Sequence, residues 1–173
     1  DIIIDFQTLG SGHQSLMTPH GGFRNRITPD SFIQEDFGNG IIRAPKDTLI
    51  DGMSVLTFAI SRPPKSIQQI IDDYHIDVNA DIDYFLIHQA NKLIVDRVVK
   101  KLKLPIEKVP YDLEEFGNLG GASIPSLMVT RIAEPMRNKQ PIKMLCSSFG
   151  LGLSWGTMII TAKNVVIPEL IEI

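Results

Sequence analysis

Apolar positions fall into short runs and helical stripes along the chain, and these predict a succession of strands and helices. Residues 2–9 open with a β-branched run, "IIIDFQTL", that reads as a strand. Residues 10–48 carry Gly, Pro, Asn and Ser throughout, as in "GSGHQSLMTPHGGFRNRITPD" and "FGNG", which is loop chemistry with at most short strands. From Gly52 to Arg62, residues Met53, Leu56, Ala59 and Ile60 recur at helical spacing until Pro63 and Pro64 interrupt. A second helix starts behind Pro64, with Ile67, Ile70 and Ile71 as its apolar stripe.

The next block is a strand at 84–87 followed by a helix at 91–103. In that helix Ile94, Val95, Val98, Val99 and Leu102 share one face, while Lys92, Asp96, Arg97, Lys100 and Lys101 lie largely away from it. A short strand near Val109 is expected next, then the loop "EEFGNLGGASIPS" and a helix from about Ser123 to Glu134. Pro125 falls in the first turn of that helix, where its missing N–H costs nothing. The stretch "IKMLCSSFGLGLSWGTMIITA" reads as two strands joined through Gly150-Leu151-Gly152. Strands alternating with helices predict an α/β fold whose sheet is mainly parallel, and the final hairpin adds an antiparallel portion.

Composition narrows this picture. The 173 residues suit one domain with a sizeable core, and 43% apolar with 21% charged residues is the balance of a soluble globular protein. A net charge of −3 gives no basic field for nucleic acid. No apolar run reaches the roughly 18 residues that a membrane helix needs. The single cysteine, Cys146, forms no internal disulfide, in keeping with a reducing, cytoplasmic setting. The chain opens on Asp1 and an apolar strand, which is expected of a piece of a longer polypeptide.

Few residues carry candidate chemistry. "DVNADID" (77–83) has the alternating Asp and Asn of a calcium loop, but Ile82 stands where the glycine belongs and His88 where the glutamate belongs. His13 and His20 lie in loops without a HExxH motif or a cysteine partner, so no metal site is expected. Cys146 sits in an apolar strand with no neighbouring base, which suits a structural thiol. His88 closes a strand where a helix begins, the place at which open α/β sheets bind ligands. The positive end of the helix favours a neutral ring there, able to donate to a developing oxyanion. A satisfied core or capping histidine also fits that position. Asn118 stands among Gly117, Gly120 and Gly121 and reads either as a second group at such a strand end or as a plain turn residue. "SSFGLGLSWG" reads either as an ordinary hairpin or as a connection presenting a backbone N–H to an oxyanion.

Taken in order, "IHQAN", "FGNLGGASIP" and "SFGLGLSWG" resemble the C-terminal half of a β-ketoacyl-acyl carrier protein synthase III, a condensing enzyme of the thiolase-like fold. "DGMSVLTFAISRPPKSI" and "DFQTLGSG" resemble the same family upstream. The resemblance implies that residues 1–173 are a single C-terminal thiolase-like domain, one half of an α-β-α-β-α sandwich with a mixed sheet and helices on its faces. The N-terminal half, with its nucleophilic cysteine, would be missing, and Cys146 matches neither that motif nor that place. The family's enzymes are usually homodimers. They take an acyl group from an acyl-coenzyme A thioester onto cysteine and condense it with malonyl-acyl carrier protein in fatty acid synthesis, without a cofactor.

By resemblance, His88 and Asn118 would donate hydrogen bonds to the malonyl thioester oxygen, and the Gly150 N–H would hold the acyl thioester oxyanion. Asn91, Lys92, Lys100 and Lys101 would meet acyl carrier protein or coenzyme A, although Leu93 stands where the bacterial housekeeping enzymes often carry an Arg. Two alternatives stay open: a non-catalytic thiolase-like subunit or interaction module, and a related polyketide- or ester-forming acyltransferase.

Overall fold

The computed structural model describes residues 2–38, 40–138 and 141–171; Asp1, which the expectation of a longer polypeptide partly rested on, lies outside them. The strands are β1 (Ile2–Thr8), β2 (Leu16–Met17), β3 (Glu35–Asp36), β4 (Ile42–Arg43), β5 (Leu49–Ile50), β6 (Tyr84–Ile87), β7 (Ile142–Gly150) and β8 (Ser154–Ala162). The helices are α1 (Gly52–Ala59), α2 (Arg62–Asp73), α3 (Lys92–Leu102), α4 (Leu113–Phe116), α5 (Ser123–Thr130) and α6 (Ala133–Asn138). The chain forms two compact units.

The first unit comprises residues 2–7, Phe58–Phe149 and 155–171. Its sheet runs in the order β1-β8-β7-β6, with β6 parallel to β7 and Ile87 opposite Ser147. β7 and β8 follow each other through three residues, a connection that only an antiparallel pair allows. Because side chains alternate across a strand, the sheet sorts its residues onto two faces. Leu86, Ile142, Met144, Cys146 and Ala162 form one buried cluster with Leu127 of α5, Met136 of α6 and Ile132 between the two helices. The opposite face meets α2 through a buried polar link. Ser66 Oγ donates to Asp5 Oδ2 (2.5 Å) and also lies 2.8 Å from Thr157 Oγ1, which is 3.4 Å from Ser147 Oγ. Burying hydroxyls in this way is tolerable because each has a partner.

The second unit, Thr8–Thr57 with Gly150–Ser154, is held by short pairings, β2 with β5 and β3 with β4, and by 3-10 turns. Leu9 and Leu153 exchange backbone hydrogen bonds within it. Gly152 adopts φ +139°, and a Cβ there would lie 2.7 Å from the Ser154 nitrogen, so the turn between β7 and β8 requires glycine.

Three expectations are corrected. No strand forms near Val109. Pro105 and Pro110 bracket it, and Lys108 and Val109 donate instead to the carbonyls of Pro105 and Ile106 in a 3-10 turn. The helix expected from Ser123 to Glu134 stops at Thr130 and resumes as α6. Pro135 offers no N–H and would clash with the carbonyl four residues back, at Arg131. Helix α2 begins at Arg62 rather than behind Pro64, and the two prolines occupy its first turn, where they are tolerated.

Candidate active site

The His88 position follows from short-range signals. The four apolar residues of β6 are driven into the sheet, three of them fully buried, and the strand ends where the His88 N–H donates to the Ser147 carbonyl (2.8 Å). Asn91 then caps α3, its Oδ1 accepting from the Ile94 N–H at 2.9 Å. His88 is thereby fixed between a strand end and a helix N-terminus. It is 6% exposed and lies edge-on to Phe149, with ring centroids 5.0 Å apart at 87°. Phe149 packs in turn against Phe58 (5.9 Å), and Phe58 against Trp155 (5.5 Å). These rings form an apolar wall behind the imidazole.

Burial lowers the pKa of His88, because desolvation penalises the imidazolium. Its Nδ1 is sealed in and has no hydrogen-bond partner among the described residues. A buried acceptor without a donor is tolerated better than a buried N–H without an acceptor, so these surroundings favour the tautomer that carries its proton on Nε2. The same shift has a sign in stability. The unfolded ring titrates near 6.5 and the folded ring below that, so the contribution of neutral His88 is complete above about pH 6.5 and is lost as pH falls from there toward the folded pKa. Urea unfolding of His88→Gln should therefore show less loss of stability between pH 7 and pH 5 than the parent protein; an equal loss would mean that His88 does not titrate as described.

Asn118 follows a different element from the one expected. Helix α4 closes with the Gly117 N–H on the Leu113 carbonyl, and Gly117 at φ +64° turns the chain into Asn118. Asn118 is exposed, and its Oδ1 accepts from the Gly120 N–H at 3.0 Å. The side chain thus takes part in the turn, and this has a consequence for its other end. With Oδ1 used in this way, Nδ2 is the group of the amide left to donate.

Between these two residues the structure supplies a link that the sequence did not announce. Gln89 is fully buried, its Nε2 donating to the Ile87 carbonyl (2.8 Å), and its Oε1 lies 3.5 Å from the Asp112 nitrogen. Asp112 is itself 1% exposed and begins α4, its carbonyl accepting from the Glu115 and Phe116 N–H groups. Phe149 was visible only as one letter of "SFGLGLSWG"; nothing in the pattern pairs it with His88.

The remaining candidates have plainer surroundings. Gly150 ends β7 and belongs to the second unit, with open space where a Cβ would sit. Asn91 spends its side-chain oxygen on the α3 cap. Lys92 is exposed, 3.7 Å from Glu114 and 5.5 Å from the Tyr111 ring centroid. Lys100 and Lys101 lie in the last turn of α3, favourable for the helix dipole, and Lys101 Nζ donates to the Ile60 carbonyl (3.0 Å). His13 and His20 bond to Gly10 and Ser31, and Asp77 and Asp81 accept backbone N–H groups of their own turn. Cys146 is buried, and desolvation pushes its thiol up to about 12. Thiol alkylation of the native protein near neutral pH should leave it unmodified, with labelling only in denaturant; rapid native labelling would contradict its place in the core.

Among the described residues, no helix is long and apolar enough to cross a membrane. Residues 78–162 match the family model described as 3-Oxoacyl-[acyl-carrier-protein (ACP)] synthase III C terminal. Over 158 residues the chain is 36% identical to a beta-ketoacyl-[acyl-carrier-protein] synthase III of Streptococcus pneumoniae (strain Hungary19A-6), covering 90% of this chain and 42% of that protein. The chain thus spans less than half the length of this relative. The crystal structure of a 3-oxoacyl-(acyl-carrier protein) synthase from Burkholderia xenovorans LB400 superposes with a TM-score of 0.82 at 26% identity, over 97% of this chain and 46% of that one. The synthase III structure from Thermus thermophilus gives 0.72 at 26% identity, over 94% and 46%. The mixed sheet with helices on its faces is a thiolase-like fold.

Proposed function

We propose, from the premise that this chain belongs through residues 78–162 to the 3-oxoacyl-[acyl-carrier-protein] synthase III family, that it supplies the malonyl-handling half of a decarboxylative Claisen condensation. The observation that carries this reading is the setting of His88: buried, with desolvation lowering its pKa and favouring the neutral ring, and with no partner for Nδ1 among the described residues.

A malonyl thioester loses carbon dioxide by breaking its C2–carboxylate bond, and the electron pair flows onto the thioester oxygen as an enolate. His88 Nε2–H and the Asn118 amide donate to that oxygen. Such donors act most strongly where water is excluded and need no reorganisation as the charge appears. The enolate carbon then attacks the carbonyl of an acyl-cysteine, a carbon–carbon bond forms, and the cysteine leaves as thiolate. Cys146 has no part in this, because a thiol with a pKa near 12 in the core is no nucleophile. The acyl-cysteine is therefore assigned to the N-terminal half of the enzyme, and this chain by itself would not carry the acylation step. The Gly150 N–H is the candidate for the acyl thioester oxygen, a separate task.

The basic face of α3, with Lys92, Lys100 and Lys101, suits an acidic carrier as the bearer of the malonyl group, and coenzyme A is the expected bearer of the acyl group. A homodimer in the cytoplasm and a place in fatty acid synthesis belong to the same reading. The test is to join this chain to its N-terminal half and supply acyl-coenzyme A with malonyl-acyl carrier protein. Release of carbon dioxide with formation of a 3-oxoacyl carrier protein is expected. Acyl transfer to a hydroxyl acceptor without carbon dioxide release would favour an ester-forming relative, and no turnover of any thioester would favour a non-catalytic module.

A further inference from the structure

We propose that Asp112 is a positioning residue for the His88–Asn118 pair, acting through Gln89 on one side and through α4 and α5 on the other; this rests on the function proposed above. Asp112 is a buried carboxyl group with hydroxyl partners and, among the described residues, no ion pair. Its Oδ2 accepts from Ser126 Oγ at 2.6 Å and lies 3.3 Å from Thr130 Oγ1, both on α5. The single Thr130 hydroxyl proton is shared with the closer Ser126 carbonyl (2.8 Å), and the two hydroxyls sit one turn apart on the same helix face.

The backbone of Asp112 works in two further directions. Its N–H faces Gln89 Oε1 at 3.5 Å, a long contact, and Gln89 adjoins His88 and is pinned to the Ile87 carbonyl. Its carbonyl starts α4, whose C-terminal Gly117 aims Asn118. One residue therefore ties the end of β6, the turn holding Asn118 and the body of α5 into a single polar network. Burying a carboxyl group is costly unless its oxygens are satisfied, so an Asp placed here needs these partners. Two donors that must meet one thioester oxygen tolerate little relative displacement. Asp112 is where that separation is fixed.

The experiment measures two half-reactions separately in the enzyme formed by this chain and its N-terminal half: acylation of the cysteine from acyl-coenzyme A, and carbon dioxide release from malonyl-acyl carrier protein. In Asp112→Ala, decarboxylation should fall by about tenfold to 10²-fold, with the malonyl KM and the acylation rate unchanged. Asp112→Asn keeps an oxygen acceptor for Ser126 and should restore most of the rate. Should Asp112→Ala fail to fold, Ser126→Ala removes only the 2.6 Å bond and carries the same expectation with a smaller fall. Unchanged decarboxylation in the folded variants overturns the proposal, and so does a parallel loss of both half-reactions. His88→Ala and Asn118→Ala run alongside. If they keep full decarboxylation, the functional reading falls; if they lose it while Asp112→Ala does not, only the positioning role falls.

Discussion

Asn118→Asp, made in the enzyme that joins this chain to its N-terminal half, should lower malonyl decarboxylation by about 10²–10³-fold, the loss expected when one oxyanion donor is removed. The substitution is nearly isosteric, and its carboxyl oxygen still accepts the Gly120 N–H that holds the turn. What disappears is the amide donor, replaced by a negative charge facing the developing enolate. A residue serving only the turn would tolerate Asp, because Asp and Asn make the same turn. Acylation of the cysteine does not need this donor and should proceed at the parental rate. Measuring both half-reactions in Asn118→Asp therefore separates the two readings of "GN" that the sequence left open. A variant with parental decarboxylation would leave Asn118 as a turn residue alone.

Leu127→Ala should cost about 2–5 kcal/mol of stability. Leu127 is 0% exposed on α5 and packs in the cluster with Leu86, Ile132, Met136, Met144 and Cys146. Truncation removes transfer free energy and leaves a cavity that this two-sided packing, sheet against helices, resists closing. Against a typical total of about 5–15 kcal/mol the effect is large. Urea unfolding followed through the buried Trp155 should show a lowered midpoint at constant slope. A change under about 1 kcal/mol would contradict the packing described for α5. The two predictions also differ in kind, since Asn118→Asp should leave stability nearly untouched.

The strand-to-helix junction at His88 was legible because its signals are local. Four consecutive apolar residues and a stripe at helical spacing lie within twenty residues; they give the strand at 84–87 as the structure shows it and the helix to within one residue at each end. The hairpin of β7 and β8 was legible for the same reason, and so was the buried character of Cys146. The strand expected near Val109 failed because flanking prolines outweighed a short apolar stretch. Asn118 was expected at a strand end and instead sits beyond a four-residue helix, too short to have a periodicity of its own. Phe149, Gln89 and Asp112 were not singled out because their roles depend on contacts across the sheet and between α4 and α5. Gln89 and Asp112 are 23 positions apart, and the stretch between them holds no pattern that would pair them.

The central claim is that His88 and Asn118 act together on one oxygen. The measurement that tests it most directly is carbon dioxide release from a malonyl thioester by the acylated enzyme, compared among the parent, His88→Ala, Asn118→Ala and the double variant. Groups that act as a unit give non-additive losses. The expected result is that each single variant falls by about 10²–10³-fold and the double variant is little slower than the worse single. Parental carbon dioxide release in either single variant, or losses that multiply fully in the double variant, would contradict it.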